Sequence, residues 1–263
     1  MIVTIHNDQL TLTADTLGAQ MQSITSYKGT EYLWNGDERY WKGRAPVLFP
    51  FVARLKDKTY TVNGGTYQMK IHGFASACEF EVAEQTESRV TFVLRDNEVT
   101  RAQFPFAFLF KVRYALKEST VEVTYTVDNP ADEMLHFGLG GHPGFNVPLK
   151  EGTAFEDYYL RFSQPCEPDR VGFSSEILVS GTDKRYELED GQIIRLRHDL
   201  FDHDAIVLKN MAKSVTIASD KTKRHVTVSY PQMPYVGFWH AERKAAPYVC
   251  VEPWVSLPAR DGV

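Results

Sequence analysis

Apolar and polar residues alternate with a period of two along most of this chain, and that pattern commits it to strands. Leu10-Thr11-Leu12-Thr13, Cys78-Glu79-Phe80-Glu81-Val82 and Val90-Thr91-Phe92-Val93-Leu94 alternate in this way, as do Phe106 to Leu116 and Val121 to Val127. Helical periodicity is nearly absent, so helices should be few and short. Asn63-Gly64-Gly65, between Tyr60-Thr61-Val62 and Tyr67-Gln68-Met69, reads as a hairpin, because tight primed turns want positive φ. Glu118-Ser119 and Asp128-Asn129-Pro130 mark further turns, and Met134 to Leu139 reads as another strand. Short strands with polar turns predict an all-β fold, a large antiparallel β-sandwich. Residues 164–190 are the least regular and most charged, and read as an excursion with short strands. The 263 residues would fit one large β domain or two smaller ones. Lacking a linker, a repeat or a low-complexity segment, they read as a single domain over 1–263.

Composition narrows the function classes. Hydrophobic residues are 43% and charged residues 24%, ordinary values for a soluble globular protein. A net charge of −5 and no lysine/arginine-rich run argue against nucleic acid as a partner. No apolar stretch approaches the roughly 20 residues of a spanning helix, which argues against a membrane. The first residues, Met1 to Asp8, lack a basic region followed by an apolar core, so they do not read as a signal peptide. Cys78, Cys166 and Cys250 are odd in number and far apart, fitting neither a disulfide framework nor a zinc motif. Free thiols in a reducing compartment, and hence a cytoplasmic protein, are the expectation. Cys250 would share a strand face with Glu252, but core packing is its plainer reading. His198 and His203 tempt a metal reading, yet their spacing fits no common zinc motif. No metal and no cofactor are expected, since a Gly-rich phosphate loop and a Cys/His cluster are both missing.

Three segments carry chemistry: Ile71-His72-Gly73-Phe74, Gly141-His142-Pro143-Gly144-Phe145-Asn146 and Val251-Glu252-Pro253-Trp254. Each sets one ionisable side chain among glycine, proline or aromatic residues. Two histidines and a carboxylate suit general acid and base catalysis near neutral pH, and the aromatic rings suit the C–H faces of a sugar. Read singly, each has a plainer explanation: His142 closing a turn, His72 bonding to backbone, Glu252 as a surface carboxylate. The apolar neighbours Val249, Val251, Pro253 and Trp254 speak against a solvated Glu252, and burial there would raise its pKa. Arg54 follows the apolar run Phe49-Pro50-Phe51-Val52-Ala53, where a lone charge is costly without partners.

In this order and at these intervals, the three segments resemble the aldose 1-epimerase (galactose mutarotase-like) superfamily. Tyr40-Trp41-Lys42-Gly43-Arg44-Ala45-Pro46-Val47-Leu48-Phe49-Pro50-Phe51-Val52-Ala53-Arg54-Leu55, Gly140-Gly141-His142-Pro143-Gly144-Phe145-Asn146 and Leu200-Phe201-Asp202-His203-Asp204-Ala205 point more narrowly to its LacX-like branch. The similarity runs from about residue 9 to the end.

The resemblance implies the superfamily's β-sandwich (supersandwich) and interconversion of the α and β anomers of a hexose. It makes His142 the general acid and Glu252 the general base. Arg54, His72 and an aspartate would bind the sugar, and Asp204 is favoured over Asp202 because it leads directly into a strand. Trp239 is a candidate stacking platform, with core packing equally open to it; His240, Phe145 and Asn146 are further candidates to contact ligand. The galactose mutarotases proper carry Asn-His-Thr where this chain has Gly141-His142-Pro143, so sugar specificity does not transfer. Relatives run on past the position of Val263 by at least one strand. A small sugar is the expected partner, with the protein a monomer or homodimer. Two alternatives stand: a hexose-6-phosphate 1-epimerase, with Arg44, Lys56 and Lys58 as a cationic patch, and a non-catalytic sugar-binding protein.

Overall fold

The computed structural model describes residues 1–262; Val263, to which the resemblance was read, lies outside them. Strands hold 44% of the residues and helices 6%. The chain divides into two compact units, each built from two separate stretches of sequence: Met1–Glu31 with Ala45–Leu139, and Tyr32–Arg44 with Gly140–Val263.

The first unit holds a three-stranded meander of Ile2–His6, Leu10–Asp15 and Gln20–Ser26. A four-stranded antiparallel sheet follows, ordered Thr120–Asp128, Leu109–Lys117, Arg89–Arg95 and Glu81–Gln85. The predicted hairpin pairs Thr59–Val62 with Gly65–Gln68. Asn63 (φ 50°) and Gly64 (φ 76°) turn it with both φ positive, as a primed turn requires. Phe49, Phe74, Phe104, Phe108 and Phe110 pack together as the core, with Phe49 stacked on Phe110 at 4.5 Å. Two sequence expectations need correction in this unit. The strand read from Cys78 begins only at Glu81, because Ala75–Ala77 form a 3-10 turn that Cys78 closes. Residues 134–139 form no strand despite their apolar content, and the Gly138 N–H bonds instead to the Pro50 carbonyl.

The second unit carries the sheet that matters for function. Its order is Lys184–Arg185, Asp169–Arg170, Ile206–Lys209, Tyr235–Trp239, Tyr248–Trp254, with Gly140–Gly141 and Gly144–Asn146 both paired to the last strand. The excursion over residues 164–190 thus contributes only two-residue strands. Ile193–Arg195, Tyr158–Phe162, Ser214–Ser219 and Thr222–Ser229 make a second antiparallel sheet. Alternation holds for Ser214–Ser219, whereas Ile206–Lys209, Tyr235–Trp239 and Tyr248–Trp254 are almost continuously buried. Among the described residues no helix is long and apolar enough to cross a membrane.

Candidate active site

Register places the ionisable and aromatic side chains of the second unit on one face. In the antiparallel pair of Tyr235–Trp239 and Tyr248–Trp254, Gly237 lies opposite Glu252 and Trp239 opposite Cys250. Directly opposed residues share a face and alternate ones point the same way, so Tyr248, Cys250, Glu252, Gly237 and Trp239 all project together. Val249 and Val251 project to the other side, where both are fully buried.

His142 follows Gly140–Gly141, which pair with the end of the same strand, and the Val251 N–H bonds to the Pro143 carbonyl. This brings His142 Nε2 to 3.3 Å from Glu252 Oε2. Both side chains are almost fully enclosed. Burial first, and the charge of Asp204 second, push the Glu252 carboxyl well above its ordinary value. Desolvation penalises the ionised form and a nearby like charge adds to the penalty.

Aromatic rings wall the pair. Trp41 stacks on the His142 ring at 4.9 Å and 28°, and Trp239 meets it edge-on at 5.5 Å and 82°. Behind them Tyr248 stacks against Trp34 and Trp41, and its hydroxyl accepts from the Ala241 N–H. Trp41 arrives from the Tyr32–Arg44 segment, which bonds along Gly144–Asn146: the Trp34 N–H to the Gly144 carbonyl and the Gly144 N–H to the Arg44 carbonyl, both 2.8 Å. Gly43 lets the ring fold over, since a Cβ there would meet it at 2.4 Å.

The structure separates the remaining candidates. Asp204, in the left-handed region at φ 68°, is the aspartate whose charge reaches Glu252, while that of Asp202 is felt at His240. Phe145 pairs opposite Val249, so it faces away from Glu252 and is buried. Asn146 donates its side-chain amide to the Leu33 carbonyl at 2.9 Å. His240 does not line the face but is fully buried. Its Nδ1 lies 2.8 Å from the Ala241 carbonyl and its Nε2 3.0 Å from His198 Nδ1. His198 therefore partners His240 rather than His203, which is exposed.

In the first unit, Arg54 and His72 are neighbours. Ala53 (φ 56°) and His72 (φ 65°) both take the left-handed conformation, rare outside glycine. They clasp one another: the His72 N–H bonds to the Ala53 carbonyl at 3.0 Å, and the Ala53 N–H to His72 Nδ1 at 3.1 Å. Nδ1 as acceptor leaves Nε2 to carry the proton of a neutral ring. Burial first, then the Arg54 charge, lowers the His72 pKa to about 4 and keeps it neutral.

Trp41, Tyr248 and the glycine opposite Glu252 were not singled out by sequence reasoning for this site. Trp41 lay within the quoted branch motif, but nothing in its sequence neighbourhood reports a ring partner so distant along the chain.

A family model described as aldose 1-epimerase matches residues 1–257. The chain is 32% identical over 266 residues to the chromosomal protein LacX of Lactococcus lactis subsp. lactis, covering 98% of this chain and 88% of that one. The galactose mutarotase related enzyme of Lactobacillus acidophilus superposes with a TM-score of 0.95 at 36% identity, over 100% of this chain and 88% of that chain. A galactose mutarotase-like protein from Lactobacillus casei ATCC 334 gives 0.92 at 33% identity, over 100% and 90%. The fold is thus the large antiparallel β-sandwich of these neighbours.

Proposed function

Because the chain belongs to the aldose 1-epimerase family, we propose that it interconverts the α and β anomers of an aldose by opening and reclosing the sugar ring. The observation that carries this reading is the 3.3 Å approach of His142 Nε2 to Glu252 Oε2. The anomeric hydroxyl and the ring oxygen are bonded to the same carbon. An acid and a base that touch one another are spaced to serve both.

Glu252 takes the proton of the anomeric hydroxyl, a C1 carbonyl forms, and the bond from C1 to the ring oxygen breaks. His142 delivers a proton to that oxygen. Rotation about C1–C2 turns the other carbonyl face inward, and reclosure returns each proton the opposite way. Such role exchange favours pKa values close to the working pH. The upward shift of the Glu252 carboxyl supports this, because it makes the carboxylate a stronger base than an ordinary glutamate. Trp41 and Trp239 supply apolar ring surface, and Asp204 accepts from sugar hydroxyls. Family resemblance assigns Arg54 and the neutral His72 to sugar oxygens; Phe145 has no part, given the face it occupies.

Polarimetry or NMR over free and phosphorylated aldoses tests the reading. Turnover of free sugars is expected. Binding without turnover would leave a sugar-binding protein, and turnover confined to sugar phosphates would select the hexose-6-phosphate alternative.

A further inference from the structure

Cys250 stands between the strand positions of Tyr248 and Glu252 on the face that carries the acid/base pair. Its thiol, one ligand atom of His142 and one carboxylate oxygen of Glu252 all lie within 4.8 Å of one another, and all three residues are buried. The anomerisation scheme has no use for a thiol there. Imidazole, thiolate and carboxylate together are the donor set of a borderline-soft divalent cation; magnesium and calcium want oxygen alone.

We propose that His142, Cys250 and Glu252 form a three-ligand site for a zinc-class divalent cation, and that the cation competes with the sugar. This rests on the acid/base reading, since it takes the lone pairs that reading uses. Zinc–sulfur and zinc–nitrogen bonds of about 2.3 and 2.1 Å require the three atoms to draw together by roughly an ångström. Side-chain rotation supplies that movement, because Cys250 and Glu252 are fixed by one strand while His142 leads out of a two-residue pairing. Binding expels the thiol proton to solvent and leaves the fourth position to water. With Nε2 and the carboxylate both donating to the ion, neither can move a sugar proton. The cation is an inhibitor here, not a resident cofactor.

Cobalt(II) tests the site without any sugar. Titration of metal-free protein should give one ion per chain and the intense near-ultraviolet band of thiolate-to-cobalt charge transfer. Cys250→Ala and Cys250→Ser should both lose the band and weaken binding by at least tenfold. The double variant Cys78→Ser/Cys166→Ser, in which Cys250 is the sole thiol, should keep it, which makes the test independent of whether the Cys250 variants fold. Zinc should abolish turnover of the wild type at near-stoichiometric concentration, and EDTA should restore it. No cobalt binding, no charge-transfer band, or a band lost in the double variant would overturn the proposal. A protein with mutarotase activity and no band would sink the metal site alone, whereas a band without activity would sink only the anomerisation reading.

Discussion

Gly237 lies directly across the strand pair from Glu252, and a methyl group there would come within 3.4 Å of the Glu252 Cβ and 3.2 Å of the Trp254 ring. The missing side chain lets Glu252 and the Trp254 ring close over this position. Gly237→Ala should therefore fold, with its neighbours giving by a few tenths of an ångström, and lose about tenfold in kcat, since small misplacements of a reacting group are costly. Gly237→Val should lose more. Steady-state mutarotation with a thermal melt as control checks this; full activity in both variants would show that the carboxylate is not held by this wall.

Glu252→Gln keeps the shape of the side chain and removes the base. Its rate should drop by roughly 10²–10⁴-fold while sugar still binds. Stability should move the other way. A carboxyl whose folded pKa is raised contributes most below its unfolded value of 4.5, and that contribution is lost as pH rises through the folded value. At about pH 8 the glutamine variant should melt above the wild type, and at about pH 4 the gap should close. A gap of the same size at both pH values would contradict the raised pKa.

If His142 and Glu252 act on one step, as the proposed mechanism requires, their losses should not add. His142→Asn, Glu252→Gln and the double variant should all fall to nearly the same rate, as residues working as a unit do. Fully additive losses would make His142 a binding residue.

Asp204 enters through the pH profile. The base works only when ionised, so kcat/KM should rise with pH through the folded Glu252 value. Asp204→Asn removes the second cause of the upward shift and leaves burial, the first. Its acid limb should move to lower pH, whatever happens to KM. An unmoved limb would place the Asp204 charge too far away to matter.

Two desolvated imidazoles, His72 and His240, should weaken the fold in acid. His72 and His240 are both held to a pKa of about 4 against 6.5 in the unfolded chain. Between those values the unfolded chain takes up protons that the folded chain refuses, so stability should fall as pH drops from 6.5 to about 4. Urea unfolding of the wild type and of His72→Gln at several pH values measures the slope. The variant should show the smaller decline, and an equal one would remove His72 from the account.

Much of this was legible in the chain. Alternation located the long ladders because each has one buried and one open face, and Asn63-Gly64 declared its hairpin because few residues accept two positive φ values. It failed at residues 134–139, where an apolar run binds loop backbone instead of a ladder. His142 and Glu252 stood out through their glycine, proline and aromatic neighbours. Asp204 was already favoured over Asp202 by its place before a strand, and its charge reaching Glu252 is what the structure adds. The Trp41–His142 stack, the His198–His240 bond and the close approach of Glu252 and Trp254 to Gly237 are products of tertiary register, and no local pattern encodes them.

The borrowed segment Tyr32–Arg44 has a consequence for how the protein is made. Trp41 leaves the ribosome early, while the histidine it covers and the strand bearing Glu252 emerge only after the whole second stretch of the first unit has been synthesised. Until then the indole has no ring to rest on. Such long-range closure is the slow kind, so the aromatic wall should be among the last features to assemble, and a fragment starting at Gly140 would carry His142, Glu252 and Trp239 without the stacked Trp41.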